Sequence, residues 1–475
     1  MNSTRNRGAA CPSAPTSPVM HGLRLNIAAC RRRSLHAGLL VALLGSLTGV
    51  DSAVSATLSY EDARTTLRNV SDLRKASEAG VDKNEYEAHA ADALGMPDLS
   101  VNATQIFGVK TATITGTPLG TIDIDQNLNG PRMSLNSTWA IYTGGRIRAT
   151  QRALAAGVSQ ARAELVGTED ALDLQLAQTY FGLELANDIE HTRSSVLDLA
   201  DRQLQRAVRF EQQGTLAKVE RLNAQVARDE AARNLVEAQR DREIAATRLQ
   251  RLLHLDAAPE PSTPLFVITD ALKPLTEWLS MAERQSPVLA AFDAKKAQAR
   301  EGIVIADSRW KPQVFAFGSY ALVKHYQTIV EPDWIAGVGI NFPLFSHEDR
   351  ASKVSAAHEA LRQVEELEEE ARITIDTAVE TAYRKVEQAR EQFKLLDSTL
   401  ALANENLRLR ERGFEEGQAT SIDVNDARNA LARAETERAL AAHNFVIALA
   451  ALLEASGDTN NLSDYIRRAD IQLRP

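Results

Sequence analysis

Asp423 and Asp426 lie six and nine residues beyond Gly417, and an i, i+3 spacing puts both carboxylates on one face of a helix. Such a pair can attract cations; equally, the two can be solvated acids that complement the positive end of a helix in its first turn. No catalytic grouping competes with them. The nine His are scattered, two before residue 57 and the others at 89, 191, 254, 325, 347, 358 and 443, without metal-site spacing. Gly144-Gly145 is too short for a phosphate loop and reads as steric freedom at a bend. The acidic run 365–370 reads as a solvated helix face. The chemistry to expect is electrostatic rather than covalent: no enzyme, no cofactor and no metal.

The elements that would carry these acids are long helices. The 475 residues are 44% apolar and 25% charged but only 5% aromatic, a composition rich in Ala, Leu, Arg, Glu and Gln that suits helices packed through small side chains. From 146 to 209 there is no Pro and only Gly157, Gly167 and Gly182; from 348 to 412 there is neither Pro nor Gly. At 1.5 Å per residue each run makes a rod of about 100 Å, too long to bury itself in one globular domain, so a coiled-coil strut is expected.

The first 56 residues stand apart. They hold six Arg and one acidic residue, with Arg31, Arg32 and Arg33 followed by an apolar run from 35 to 50 and then Val54-Ser55-Ala56. This is the pattern of a secretory signal cleaved after Ala56, with Met20 as an alternative start. Cys11 and Cys30 both fall within it, so the processed chain would have no disulfide and no thiol site. Ile27-Ala28-Ala29-Cys30 has the letters of a lipoprotein box, but Arg24 and Asn26 interrupt the apolar stretch before it. The remainder carries 48 basic and 62 acidic residues, a charge of −14 that argues against nucleic acid as a partner. The longest uninterrupted apolar run beyond residue 56 is nine residues, 445–453, so membrane-spanning helices are not expected.

An internal repeat orders the rest. At an offset of 203 residues Trp139-Ala140-Ile141-Tyr142 aligns with Phe342-Pro343-Leu344-Phe345, Gly214 with Gly417, Val219 with Ile422, Ala224 with Ala427 and Ala231 with Ala434. Each half reads as extended segment, long helix, glycine turn and return helix. In 133–141 the odd positions Met133, Leu135, Trp139 and Ile141 are apolar and the even ones mostly polar; in 334–344 the even positions Trp334, Val338, Ile340, Phe342 and Leu344 are apolar. Upstream partners are expected at 107–115 and 313–323. Eight of the 24 aromatics fall between 310 and 345, which suits the aromatic belt of a membrane barrel; an ordinary sandwich sheet is the alternative. Four strands cannot close a barrel, so a homo-oligomer must pool them.

The chain resembles the TolC family of outer-membrane efflux and secretion ducts over essentially all of residues 57–475. The segments that carry the resemblance are Val338-Gly339-Ile340-Asn341-Phe342-Pro343-Leu344-Phe345, its cousin at 134–145, and Phe414-Glu415-Glu416-Gly417-Gln418-Ala419-Thr420-Ser421-Ile422-Asp423-Val424-Asn425-Asp426-Ala427. The resemblance implies a mainly α fold with a membrane β part: a long helical barrel, and four strands per chain in a trimeric 12-stranded β-barrel. The organisation expected is a signal at 1–56, a first repeat at 57–255, a second at 256–458, and a tail at 459–475. Within the first repeat come strands at 104–142, a long helix at 146–212 and a return helix at 216–255. The second has an equatorial linker at 256–275, a helix at 276–308, strands at 311–345, a long helix at 348–413 and a return helix at 420–456.

The same resemblance implies that Asp423 and Asp426 form the constriction at a periplasmic tip, where threefold symmetry would stack two carboxylate rings and raise some of their pKa values. The tip hairpins that meet the adaptor would include Gly214, Leu216, Glu220, Phe414 and Gly417. Glu220 falls at a latch position, but Phe414 and Ala419 stand where its tyrosine and arginine partners are expected, so those two bonds are missing and closure must use other contacts or be looser. Leu135, Trp139, Val338, Ile340 and Phe342 are expected to face lipid. Partners would be two further copies of the chain, outer-membrane lipid, a periplasmic adaptor, and an inner-membrane ABC transporter or proton-driven pump, with the duct in the outer membrane and extending into the periplasm. Cargo is expected to be protein, by type I secretion, because the processed chain should lack the N-terminal Cys of many drug-efflux ducts. Small-molecule efflux is the alternative; a periplasmic adaptor or a cytoplasmic coiled coil fits the duplicated hairpins, strands and signal less well.

Overall fold

The computed structural model describes residues 57–118, 120–127, 129–324, 332–345 and 347–473. The expected signal, both cysteines, Ala56, His325 and Tyr326 lie outside the described residues. The first half runs β1 (Thr57–Leu58), α1 (Tyr60–Val70), α2 (Asp72–Asp92), β2 (Asp98–Ile106), β3 (Val109–Thr117), β4 (Gly120–Asn127), β5 (Gly130–Tyr142), α3 (Arg146–Gln212) and α4 (Lys218–Leu252). The second runs β6 (Glu260–Pro261), β7 (Phe266–Val267), α5 (Leu275–Gln285), α6 (Pro287–Asp307), β8 (Gln313–Lys324), β9 (Trp334–Asn341), α7 (Arg350–Glu415) and α8 (Ser421–Ser456). A short helix α9 (Leu462–Arg468) and strand β10 (Ile471–Gln472) finish the chain. The 67 residues of α3 and 66 of α7 are continuous helix, as the lack of breakers requires.

Strand order is β2-β5-β8-β9, all antiparallel, with β2 and β9 as open edges. Below the sheet the helices lie in the matching order α2-α3-α6-α7, and farther down in the order α4-α3-α8-α7. Below the sheet the chain is one helix layer thick, with α7 along one edge and α2 along the other; toward the tip the α3–α4 and α7–α8 hairpins pack on each other, α4 also meeting α8. Those edge helices leave apolar stripes uncovered: Leu395, Leu402 and Leu409 at heptad spacing on α7, and Val219, Leu222 and Val226 on α4.

Register sorts the sheet faces. Val101, Leu135, Tyr320 and Trp334 form one cross-strand row, and Trp139, Ala316 and Val338 another, all on one face. That face is apolar and uncovered, with Val338 67% and Ile340 72% exposed, while Leu135 is half-buried by its neighbours. Phe342 is exposed just beyond the last paired residue of β9, which places it at the rim. The Trp139 ring also reaches the rim, where its Nε1 donates to the Gly95 carbonyl at 2.9 Å. On the opposite face Ser319 donates to Asn136, and Asn136 to Ser134. The rings of Phe315 and Phe317 lie flat over their cross-strand partners Gly339 and Gly337, where an added Cβ would meet ring carbons at 2.5 and 2.9 Å.

Strand β5 pairs with Asp98–Ile106, not with the 107–115 segment expected from alternation. Residues 109–127 form their own hairpin, β3 with β4, continuing beyond the four-stranded sheet. Both stretches alternate in polarity, and period-2 alternation alone cannot choose between adjacent registers. At the other end of β5, Gly144 and Gly145 take φ of 67° and 94° to turn strand into helix. A Cβ at Gly144 would sit 2.9 Å from the Ser308 carbonyl, so this bend admits only glycine.

The main core girdles the middle of the rods. Tyr60, Tyr180, Phe181, Phe266, Trp278, Phe393 and Phe445 are all nearly or fully buried there, each worth about 1.5–3 kcal/mol of transfer free energy. Strand β1 pairs with β6 and β10 with β7, so the N-terminal strand, the proline-rich linker and the C-terminal tail build one belt around this core. The Tyr180 hydroxyl fastens it, donating to Leu58 O and accepting from the amides of Ser262 and Thr263. Arg64 and Arg68 of α1 both reach Asp173 of α3, at 2.7 and 3.0 Å. Helix α8 has the length and composition of a membrane span, but 61% of that window is buried in this core.

If the apolar face meets lipid, Val338→Arg should cost about 2–4 kcal/mol near mid-membrane and deplete the outer-membrane fraction. Thr138→Arg, on the polar face, should insert as the parent does; equal insertion of both variants would contradict the face assignment.

Candidate functional site at the helical tip

Both hairpins turn on glycine. Gly214 closes α3 and Gly417 closes α7, each with φ 74°, in a conformation that L side chains rarely adopt. Above the turns sits a small second core of Leu407, Phe414, Val424 and Ala427, with Phe210, Leu216, Ala419 and Leu431 packed on it. Phe210 and Phe414 come from different hairpins, with ring centroids 6.2 Å apart. Phe414 is only 3% exposed, so a ring without a hydroxyl is what this position takes. Ala419 fits the same cluster with a methyl group where the family resemblance led us to expect a guanidinium.

Glu220 is not idle. Its Oε2 accepts from the backbone amide of Ser421 at 2.8 Å, so an acid on the first turn of α4 caps the first turn of α8. The two bonds expected of a tyrosine and an arginine are missing, and of the alternatives left open Glu220 makes another contact, with a backbone donor at a helix N-terminus. Arg206 of α3 adds a second tie, 2.9 Å from Glu415 and 3.5 Å from Glu411 of α7. Within the first hairpin Arg221 pairs with Glu211 at 2.6 Å. No sequence signal marks the Arg206 tie, because it joins residues more than 200 positions apart.

The two aspartates have different surroundings. Asp423 is the N3 residue of a capping box: its carboxylate accepts from the amide and hydroxyl of Thr420, while its own amide donates to the Thr420 hydroxyl. Arg410 reaches its other oxygen at 3.3 Å. Within one chain, the Thr420 amide and hydroxyl, with the Arg410 charge behind them, hold Asp423 below the usual aspartate range. The Thr-x-x-Asp spacing that makes the box was legible in the sequence. Asp426 is exposed on the stripe that α8 leaves uncovered, with Ile422, Asn429, Arg433, Glu437, Leu440 and Asn444. Among the described residues no group of His, Cys, Asp and Glu has the geometry of a metal site.

A model of the outer membrane efflux protein family matches residues 63–254 and 278–458, one block for each repeat. The chain belongs to the outer membrane efflux protein family. Its relatives in that family include protein CyaE of Bordetella pertussis, 24% identical over 294 residues, which are 59% of this chain and 60% of CyaE. Among solved structures, the Campylobacter jejuni CmeC outer membrane channel superposes with a TM-score of 0.71 at 15% identity, over 87% of this chain and 90% of CmeC. The outer membrane protein VceC of Vibrio cholerae gives 0.71 at 15% identity, over 84% and 96%. Members share the arrangement described above, duplicated hairpins below paired strands, at identities where only the fold is carried over.

Phe414→Ala should open a cavity in the tip core and cost about 3 kcal/mol of local stability, read as faster amide exchange at 421–431. The Asp423 contribution has a defined sign. Its folded value is depressed, so its stabilisation is present above the ordinary aspartate value and is lost as pH falls through the lower folded value. Exchange at 420–424, corrected for its intrinsic pH dependence, should quicken in acid, and Asp423→Asn should be fast throughout and lose that dependence.

Proposed function

We propose that three copies of this chain close their four-stranded sheets into a 12-stranded barrel and their helical layers into a tube, forming a duct through the outer membrane and periplasm. The observation that carries this reading is the sheet itself: four strands, two open edges and one apolar face, continued strand by strand into helices whose edges are also uncovered. In a bilayer the amide and carbonyl groups on β2 and β9 need partners, and the β9 edge of one copy against the β2 edge of the next supplies them. The lower part of the α7 stripe, Leu402 and Leu409, is then level with Val219, Leu222 and Val226 of the neighbour. A periplasmic adaptor and an inner-membrane pump complete the route, and the signal ending near Ala56 directs the chain to it.

At the tip Asp426 is the principal gate acid. Its carboxylate projects from the uncovered stripe of α8, whereas that of Asp423 is held by Thr420 and Arg410. Three Asp426 carboxylates around an axis would concentrate cations there, with Asp423 shaping the helix start that presents them. In a planar bilayer, millimolar divalent or trivalent cations added from the periplasmic side should block conductance, less so in acid. Asp426→Ala should remove most of the block and the Asp423→Ala, Asp426→Ala double variant all of it. A double variant blocked like the parent would return both residues to the role of solvated helix-start acids.

The cargo we favour is protein: cleavage after Ala56 would remove Cys30, the residue on which a lipid anchor of the kind many drug-efflux ducts carry would be built. Small-molecule efflux is the second reading, favoured by the family description and by the likeness to channels such as CmeC. A deletion strain that loses particular proteins from its culture medium, with unchanged drug susceptibility, supports the first; the converse supports the second.

A further inference from the structure

One turn of α3 beyond Tyr180, whose hydroxyl fastens the belt, two carboxyl groups are drawn into the interior without a base paired to either. Glu184 is only 5% exposed, and its one hydrogen bond among the described residues is long, 3.4 Å from the Asn187 amide. Asp188 follows at i+4 on the same side of the helix, half-buried, and its Oδ2 is enclosed without a donor. Arg242 of α4 lines the same cleft as Glu184 but is committed to Glu190 and Glu260.

The other groups around the pair do not neutralise it. The belt contributes the negative Glu260 and α8 the negative Glu435, while Arg438 of α8 is held by Asp397 and the Phe393 ring of α7. Burial lowers the pKa of His443 on α8, which is therefore neutral near pH 7. His191 acts on Asp188 and on Glu435, and favours their charged forms. Burial, then the charges of Asp188 and Glu260, push Glu184 up to about 7, and burial pushes Asp188 up to about 6 against the pull of His191. An open cleft of about 750 Å³ between α3, α4 and the belt segment 260–264 is lined by Glu184, so protons reach this acid from the medium.

We propose that Glu184 and Asp188 form a proton-operated joint between the belt and the lower half of the first hairpin, closed when both carboxyls are protonated and loosened when both are ionised. Two like charges enclosed one turn apart, with no base between them, favour any movement of α3 that readmits water. The joint lies within one chain and does not depend on the duct reading. Both folded pKa values lie above the ordinary ones, so proton binding favours the closed form. Stability therefore falls as pH rises out of the ordinary carboxylate range, and the loss is complete above about 7.

The test uses the full-length protein in detergent. Amide exchange at 184–191 and 239–246, corrected for its intrinsic pH dependence, should be about tenfold faster at pH 8 than at pH 5.5. Glu184→Gln should remove most of that difference, Asp188→Asn part of it, and the double variant all of it, leaving exchange slow at both pH values. Glu78→Gln, which changes an exposed acid of α2, should respond to pH as the parent does. In infrared spectra at pH 6 the band of protonated carboxyl groups should lose intensity in Glu184→Gln, a readout that a merely structural role would not move. Equal exchange at both pH values for the parent would overturn the proposal. So would a double variant that keeps the parent's pH response, or an unchanged carboxyl band in Glu184→Gln.

Discussion

Two helices of 67 and 66 residues outrun any core that one chain can build around them. A rod of about 100 Å cannot be wrapped by the rest of a molecule this size, so along its length it is supported from the sides by only a few neighbouring helices. The consequences run through the whole structure. Apolar burial is concentrated in two places, the equatorial girdle and the tip, and between them the helix contacts are made by alanine and by polar side chains. Edge helices and edge strands alike keep faces that a single copy cannot cover.

The tip shows how little is needed to hold two hairpins together when each contact does more than one thing. Phe414 and Phe210 close a core of four buried residues, and Glu220 ends the same interface by capping α8. Glu220 also satisfies a backbone amide that every helix start leaves without an internal partner. Arg206 bridges to two acids on the facing helix. Level with the top of this core, Gln203 and Arg428 are buried among polar neighbours rather than apolar ones.

At the membrane end the economy is different. The sheet places apolar side chains on one face by register alone, and on the other it sets Phe315 and Phe317 against Gly339 and Gly337, where no larger residue would leave room for the rings. Beside it the β3–β4 hairpin extends the β2–β5 pair beyond the four-stranded sheet, making the two halves of the duplication unequal just where the strands end.

Much of this was legible in the residues. The absence of Pro and scarcity of Gly marked the long helices, the offset of 203 paired Gly214 with Gly417, and alternation marked β5, β8 and β9, because backbone sterics and periodicity act locally. The capping box of Thr420 and Asp423 is equally local, and its Thr-x-x-Asp spacing is a signal that reading Asp423 only as a partner of Asp426 missed. What needed the tertiary structure were the choices between equivalent local patterns and the contacts between distant segments. Alternation could not tell 98–106 from 107–115 as the partner of β5, since a strand's period is blind to register. Nor could it show that Glu220 meets the Ser421 amide or that Arg206 meets Glu415. Those depend on which faces of two helices come together, and side-chain packing across some 200 residues of chain settles that.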